Sequence, residues 1–312
     1  MKVVFFGSPS AALPSLTALI RAGHNVELVV TQPDRPAGRG RKLAPSEVKK
    51  FAVGQRIPVF EPARIRKDDS AFERIRSAAP DVNVVVAYGQ IIPDAIIYWP
   101  RHRSLNVHFS LLPRYRGAAP VQWTILNGDA ETGVTIIELN DRMDEGDILA
   151  RTKVPVRPGE TAPELEARLA DAGAELVLET LGRIDRITPV KQDSARATLA
   201  PKIRKEDGRI DWREPAEAVD RKVRALTRNP GTFTFLKGRR LQIHRGKGLP
   251  DGDLSAAPGT ILAIAREGLV VSCGGRTSYL IERVQAEGRA EMKAHDFSLG
   301  TKLAIGEMLG GD

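Results

Sequence analysis

The chain has 312 residues, 42% hydrophobic and 28% charged, which is comfortable for two packed domains and ordinary for a globular protein. Its single cysteine, Cys273, excludes an internal disulfide and any multi-thiolate zinc site, its five histidines show no metal-ligand spacing, and no apolar run approaches a membrane span of roughly 20 residues. The net charge of +8 and pI of about 9.7 fit a solvated basic surface and also suggest a polyanionic partner, and the cysteine usage fits a reducing cytoplasm.

The first half alternates strand and helix signals. Val3 to Phe6 reads as a buried strand ending at Gly7, and Ala11 to Ala22 as a helix. Val26 to Thr31 is a second strand, Ser46 to Val53 and Asp69 to Ala79 are helices, and Val82 to Tyr88 is a third strand. A short strand around Leu105 lies beside it. This series predicts a mostly parallel, Rossmann-like sheet with helices on both faces. Ligands of such sheets bind beyond the carboxyl ends of the strands. Gly7-Ser8-Pro9-Ser10 lacks the G-x-G-x-x-G pattern, so a dinucleotide site is not expected.

Thr135 to Leu139 and Thr152 to Val156 read as strands flanking a loop with Asp144, and Ala162 to Leu181 as a long helix. Residues 1–190 are therefore expected to form one domain, 191–206 a polar linker, and 207–312 a second domain. In the second domain a helix near Ala216 to Leu226 precedes five short strands: 232–236, 240–245, 259–264, 268–273 and 278–284. Glycine turns punctuate them, which predicts a small antiparallel, OB-like β-barrel.

The chemistry concentrates on Asn106-Val107-His108. Alternate strand residues share a face, so Asn106 and His108 point one way and Val107 and Phe109 the other. A strand histidine is usually a structural one, and an Asp in Asp141-Arg142-Met143-Asp144 is usually a turn residue. Together, however, an amide, an imidazole and a distant carboxylate form a kit for acyl transfer without a covalent enzyme intermediate. Two basic segments add a second theme. Arg35, Arg39, Arg41 and Lys42 sit among glycines and prolines in an exposed loop on the crevice side of the second strand. Lys202, Arg204 and Lys205 lead from the linker into the barrel. Such a loop is either simply solvated or a phosphate contact, since flexible Arg/Lys arms commonly track nucleic-acid backbones. With only 5% aromatic residues, backbone tracking of a folded RNA fits better than base stacking.

These residues are recognisable as a set. Over essentially its whole length the chain resembles the methionyl-tRNA formyltransferases, a branch of the folate-dependent formyltransferase family. The resemblance rests on Thr31 to Leu43, Val84 to Gly89, Asn106 to Pro120, Gly128 to Thr135, Asp144 to Leu149, Ala200 to Trp212, Asn229-Pro230-Gly231 and Ala257 to Leu262. It implies the formyltransferase fold, with Asn106, His108 and Asp144 as the catalytic trio. It further implies Ser110, Leu111, Leu112 and Pro113 as a folate-contacting segment, and a pterin wall from Val86, Ala87, Tyr88, Gly89 and Ile91. The implied co-substrate is 10-formyltetrahydrofolate and the partner is initiator methionyl-tRNA. The composition leads to no expectation of a metal or a membrane, and a barrel tethered by a linker suggests a cytoplasmic monomer. Arg39 to Lys42 would enter the acceptor-stem groove and the barrel would hold the tRNA.

Two segments depart from the family pattern. Phe109 replaces a small residue, and strand alternation turns it away from the crevice. Gly7-Ser8-Pro9-Ser10-Ala11 replaces Gly-Thr-Pro followed by an acidic residue and Phe, so the methionyl pocket is expected to differ. Three other folate chemistries share the trio: formylation of a sugar-nucleotide amine, formylation of glycinamide ribonucleotide, and hydrolysis of the formyl-folate. A catalytically silent RNA-binding protein is the alternative from another class. The basic loop and barrel argue against the first three, and the intact trio against the last.

Overall fold

Runs of valine and phenylalanine too apolar to face water on either side dictate the first sheet. The computed structural model describes residues 1–37, 42–227, 229–250 and 255–311. It divides into two compact units. Unit 1 comprises Met1–Pro120, Glu131–Pro155 and Glu166–Pro201, and unit 2 comprises Val121–Ala130, Val156–Leu165 and Lys202–Asp312.

In chain order the first elements are β1 (Lys2–Gly7), α1 (Leu13–Arg21), β2 (Asn25–Val30), β3 (Arg35–Ala37), β4 (Lys42–Ala44), α2 (Glu47–Gly54), β5 (Val59–Phe60) and α3 (Ser70–Ser77). They are followed by β6 (Val82–Val86), α4 (Asp94–Ile97), β7 (Ser104–His108), α5 (Pro120–Leu126), β8 (Glu131–Glu138), β9 (Ile148–Pro155) and α6 (Ala162–Gly182). The main sheet has the order β5-β2-β1-β6-β7-β8-β9. From β5 to β7 every pairing is parallel, while β8 runs antiparallel to both neighbours. The expected mostly parallel sheet is thus present.

Several boundaries shift for local reasons. The first helix opens with a 3-10 turn over Ser10–Ala12, and Pro14 sits in the first turn of α1, where a missing N–H costs nothing. β6 stops at Val86 because Ala87 takes a left-handed φ of 48°. The two-residue β5 and the short α4 and α5 are too brief to show a period in sequence. The basic segment, expected as an open loop, has an antiparallel base instead, with Arg35 opposite Ala44 and Pro36 opposite Leu43. Lys49 on α2 ties this base down, reaching Asp34 at 2.8 Å and Glu61 at 2.9 Å.

One face of the sheet buries Val4, Phe6, Val30, Val85, Tyr88 and Ile96 in a single cluster. On β7 the alternation holds as expected. Gly173 of α6 faces Val107 and Phe109, and a Cβ there would lie 2.8 Å from Val107 Cγ1 and 3.5 Å from Phe109 Cε1. Phe109 is therefore core packing against a helix that carries glycine at the contact.

Unit 2 contains α7 (Ala216–Ala225), β10 (Thr232–Leu236), β11 (Arg239–Leu249), β12 (Ile261–Ala265), β13 (Gly268–Cys273), β14 (Thr277–Ala286), β15 (Met292–Lys293) and α8 (Ala294–Thr301). The antiparallel order is β10-β11-β14-β13-β12, with β15 added beside β14. The C-terminal segment bonds to both outer strands: Gly310 N–H donates to Phe235 at 2.8 Å, and Ile261 N–H donates to Glu307 at 2.8 Å. The expected barrel is approached in this way, through a connecting segment that covers both edges. Its core includes Trp212, Leu241, Ile243, Val271, Tyr279 and Ile281.

Phe109→Ala should cost about 3 kcal/mol through the cavity left against α6. Urea unfolding measures this, and a midpoint equivalent to a loss under about 1 kcal/mol would contradict a core role.

Candidate active site

Hydroxyl and amide side chains stitch together the loops at the carboxyl ends of the parallel strands. Gln32, after β2, donates from its backbone N–H to Ser8 Oγ at 3.1 Å and from Nε2 to the Tyr88 carbonyl at 2.7 Å. Thr31 donates to Ser8 Oγ at 3.2 Å and shares a 2.8 Å bond with Ser46 Oγ, the N-cap of α2. The loops after β1, β2 and β6 are thereby one structure, at the sheet edge where ligands of such folds bind.

β7 delivers Asn106 and His108 to that edge. Parallel pairing sets Asn106 beside Val85, and antiparallel pairing sets His108 opposite Thr135. Asp144 comes from the turn between β8 and β9 and takes a left-handed φ of 53°, a conformation that Asp tolerates better than most residues. Its Oδ2 accepts the Gly117 N–H at 2.8 Å and lies 3.7 Å from His108 Nδ1. Its Oδ1 accepts from Asn106 Nδ2 at 3.4 Å. The structure brings the three side chains together.

The other ring nitrogen fixes the chemistry. His108 Nε2 lies 2.9 Å from the Tyr115 carbonyl oxygen, which can only accept. Nε2 therefore carries the hydrogen, and in the neutral ring Nδ1 is the open base, facing the Asp144 carboxylate. A proton taken up at Nδ1 forms an imidazolium–carboxylate pair. One hydrogen of the Asn106 amide remains for a second acceptor.

β8 sets the loop that follows β7. Thr135 Oγ1 donates to the Ser110 carbonyl at 2.7 Å and accepts the Leu112 N–H at 3.1 Å. The Ser110 hydroxyl is fully buried and donates to the Arg114 carbonyl at 2.6 Å. Leu112 is buried with Ile137 and Ile148.

Residues 1–181 match the formyl transferase family, and residues 202–302 match the formyl transferase C-terminal domain. The chain belongs to the formyl transferase family. A methionyl-tRNA formyltransferase of Thiobacillus denitrificans is 46% identical, covering 99% of this chain and 100% of its own length. One from Synechococcus is 44% identical, covering 98% and 97%. Among solved structures, a methionyl-tRNA formyltransferase from Clostridium thermocellum superposes with a TM-score of 0.59 at 19% identity, covering 88% of this chain and all of that one. HypX from Aquifex aeolicus in complex with tetrahydrofolic acid gives a TM-score of 0.67 at 20% identity, covering 98% of this chain and 48% of that one.

The residues expected to meet a folate in this formyl transferase fall into two groups. Ala87, Gly89 and Ile91 are exposed on the loop after β6, which bends through left-handed Ala87 and Gly89. Val86 and Tyr88 are buried, and Tyr88 packs edge-on against Phe6 at 5.5 Å. Ser110 and Leu112 point inward, so they shape their segment, while Leu111 and Pro113 are half-buried. Of the basic residues, Arg35, Lys202, Arg204 and Lys205 are exposed. Arg39 and Arg41 lie outside the described residues, and Lys42 is described by its backbone alone. Among the described residues no cluster of three His, Cys, Asp or Glu could hold a metal ion, and no helix is long and apolar enough to cross a membrane.

Sequence reasoning missed Gly117, Tyr115 and Thr135, which act through backbone groups or one hydroxyl. It also missed Gln192, which lies in a polar stretch with no periodic signal. Gly146 closes the Asp144 turn where a Cβ would stand 1.6 Å from the Glu138 carbonyl oxygen. Gly146→Ala should therefore push the turn outward and cost roughly 1–3 kcal/mol. Urea denaturation tests this, and an unchanged midpoint would contradict it.

Proposed function

We propose that this chain transfers the formyl group of 10-formyltetrahydrofolate to the α-amino group of methionine carried by initiator tRNA. The convergence of Asn106, His108 and Asp144 at the carboxyl edge of a formyl transferase sheet carries this reading. The full-length similarity to methionyl-tRNA formyltransferases supports the choice of acceptor.

The acceptor amine attacks as a neutral nucleophile and loses a proton as the new bond forms. His108 Nδ1, the ring nitrogen left without a hydrogen, is the group placed to take it. Asp144 stabilises the resulting imidazolium, and its Gly117 bond keeps the carboxylate in place. The Asn106 amide offers its free N–H to the oxygen that gains charge in the tetrahedral intermediate. The same proton on His108 is then available to the departing folate nitrogen. The folate co-substrate supplies an activated formamide. Ala87, Gly89 and Ile91 form its exposed wall, with Val86 and Tyr88 behind them and the Ser110–Pro113 segment alongside. Arg35, Arg39, Arg41 and Lys42 on one unit, and Lys202, Arg204 and Lys205 on the other, supply phosphate contacts to the tRNA. Action as a cytoplasmic monomer is part of the proposal.

The deciding assay supplies purified protein with 10-formyltetrahydrofolate and methionyl initiator or elongator tRNA, reading N-formylmethionine. Initiator tRNA should be formylated and elongator tRNA much less, while formylation of neither rejects the proposal. In this assay Asn106→Ala and His108→Ala should each lower kcat by about 100-fold or more. A near-wild-type kcat in either variant removes that residue from the chemistry. Arg41→Ala and Lys42→Ala should raise KM for tRNA and flatten its salt dependence, with KM for folate unchanged. Identical salt slopes in wild type and both variants would show that the loop carries no phosphate contact.

A further inference from the structure

The stretch 190–200 is more than a connection between units. Val190 exchanges two backbone hydrogen bonds with Ile148, at 2.8 and 2.9 Å. Thr198 accepts the Tyr115 N–H on its hydroxyl at 2.9 Å and the Arg116 N–H on its carbonyl at 2.8 Å. Ala200 N–H donates to the Arg116 carbonyl at 2.7 Å. The strap therefore lies along both loops that carry the trio's partners, 113–119 and 144–148.

Gln192 is its centre. Its Nε2 donates to the Asp144 carbonyl at 2.7 Å and to the Gly146 carbonyl at 2.8 Å. Its Oε1 accepts from Arg116 Nε at 3.1 Å and Nη2 at 2.9 Å. A primary amide has two donor hydrogens and two acceptor lone pairs, and all four are used. Arg116 is buried at 6% exposure, and its remaining Nη1 meets Glu145 at 3.2 Å. Arg116 also stands between the two residues that touch the trio from outside. Tyr115 before it holds His108 Nε2, and Gly117 after it holds Asp144 Oδ2.

We infer that Gln192 is a positioning residue for the trio, acting through Asp144 and Arg116. A left-handed Asp144 persists only where its surroundings over-determine the turn. Gln192 grips the carbonyls of Asp144 and Gly146, on either side of Glu145, and locks that turn to the 115–117 loop. This junction ties the turn that carries Asp144 to the loop whose Tyr115 carbonyl holds the His108 ring. Misplacement of reacting groups by about 1 Å can cost on the order of 100-fold in rate.

Gln192→Glu separates this role from simple support of Arg116. Glutamate keeps the shape and offers Arg116 a stronger, charge-assisted acceptor, but it has no hydrogen for the two carbonyls. The kinetic arm rests on the formyl-transfer reading; the spectroscopic arm does not. Gln192→Glu should leave KM for folate within about threefold and lower kcat by at least about tenfold. It should also move the Gly117 amide proton resonance upfield, because that N–H loses its carboxylate partner. Gln192→Asn, which keeps the amide but is one methylene short, should move the same resonance and is the variant to read if Gln192→Glu does not fold. An unmoved Gly117 resonance in a folded variant overturns the inference, as does a kcat within about twofold of wild type. Wild-type protein that formylates no tRNA but loses the Gly117 signature on Gln192→Glu would reject the function and keep the clamp.

Discussion

The Asp144 carboxylate faces an amide, an imidazole and a backbone N–H at once, and it can do so only because its own backbone is left-handed. A right-handed or extended residue would send the side chain elsewhere. The φ of 53° turns the carboxylate toward Asn106 and His108 while the carbonyl faces the Gln192 amide. Most of the site's architecture serves that turn. β8 and β9 bring its ends together, Gly146 admits the Glu138 carbonyl, and the 190–200 strap fastens its outer edge.

The imidazole is held by the opposite logic. His108 sits at the end of a strand, paired with Thr135 across the antiparallel ladder to β8, and one ring nitrogen is committed to the Tyr115 carbonyl. That commitment leaves one basic nitrogen, aimed at a carboxylate. A rigid imidazole beside a carboxylate on a fastened turn is a preorganised arrangement. Little reorganisation remains when a proton arrives. The reversed strand β8 matters here as well, since Thr135 both faces His108 across the ladder and sets the course of the Ser110–Pro113 segment.

Much of this was legible before any coordinates. Strand alternation put Asn106 and His108 on one face and Phe109 in the core, and α6 accepts Phe109 beside Gly173. The β-α series implied a parallel sheet whose carboxyl-end loops meet, and Ser8, Gln32 and Tyr88 do meet. Less legible was anything that depends on a backbone group. Nothing in the letters Tyr115 and Gly117 says that a carbonyl and an N–H there would hold the histidine and the aspartate. Ser110 and Leu112 lay in a recognisable motif, yet their side chains turn inward, because the Thr135 hydroxyl binds the backbone on either side of Leu111. Gln192 belonged to a stretch expected as a linker. Its polar composition carries no period, and its four hydrogen bonds reach residues 46 to 76 positions away.

By itself the sequence determined the family, the fold class, the β7 face and the basic character of the hairpin and of the entry to unit 2. Each depends on local pattern or on matching segments, which the chain carries in its order. Only the tertiary structure decided which His108 nitrogen carries the hydrogen, how Asp144 comes to lie beside the other, and that residues 190–200 run along the 113–119 and 144–148 loops. Those depend on where carbonyls and N–H groups from distant loops come to rest, and every residue carries the same pair of backbone groups whatever its letter.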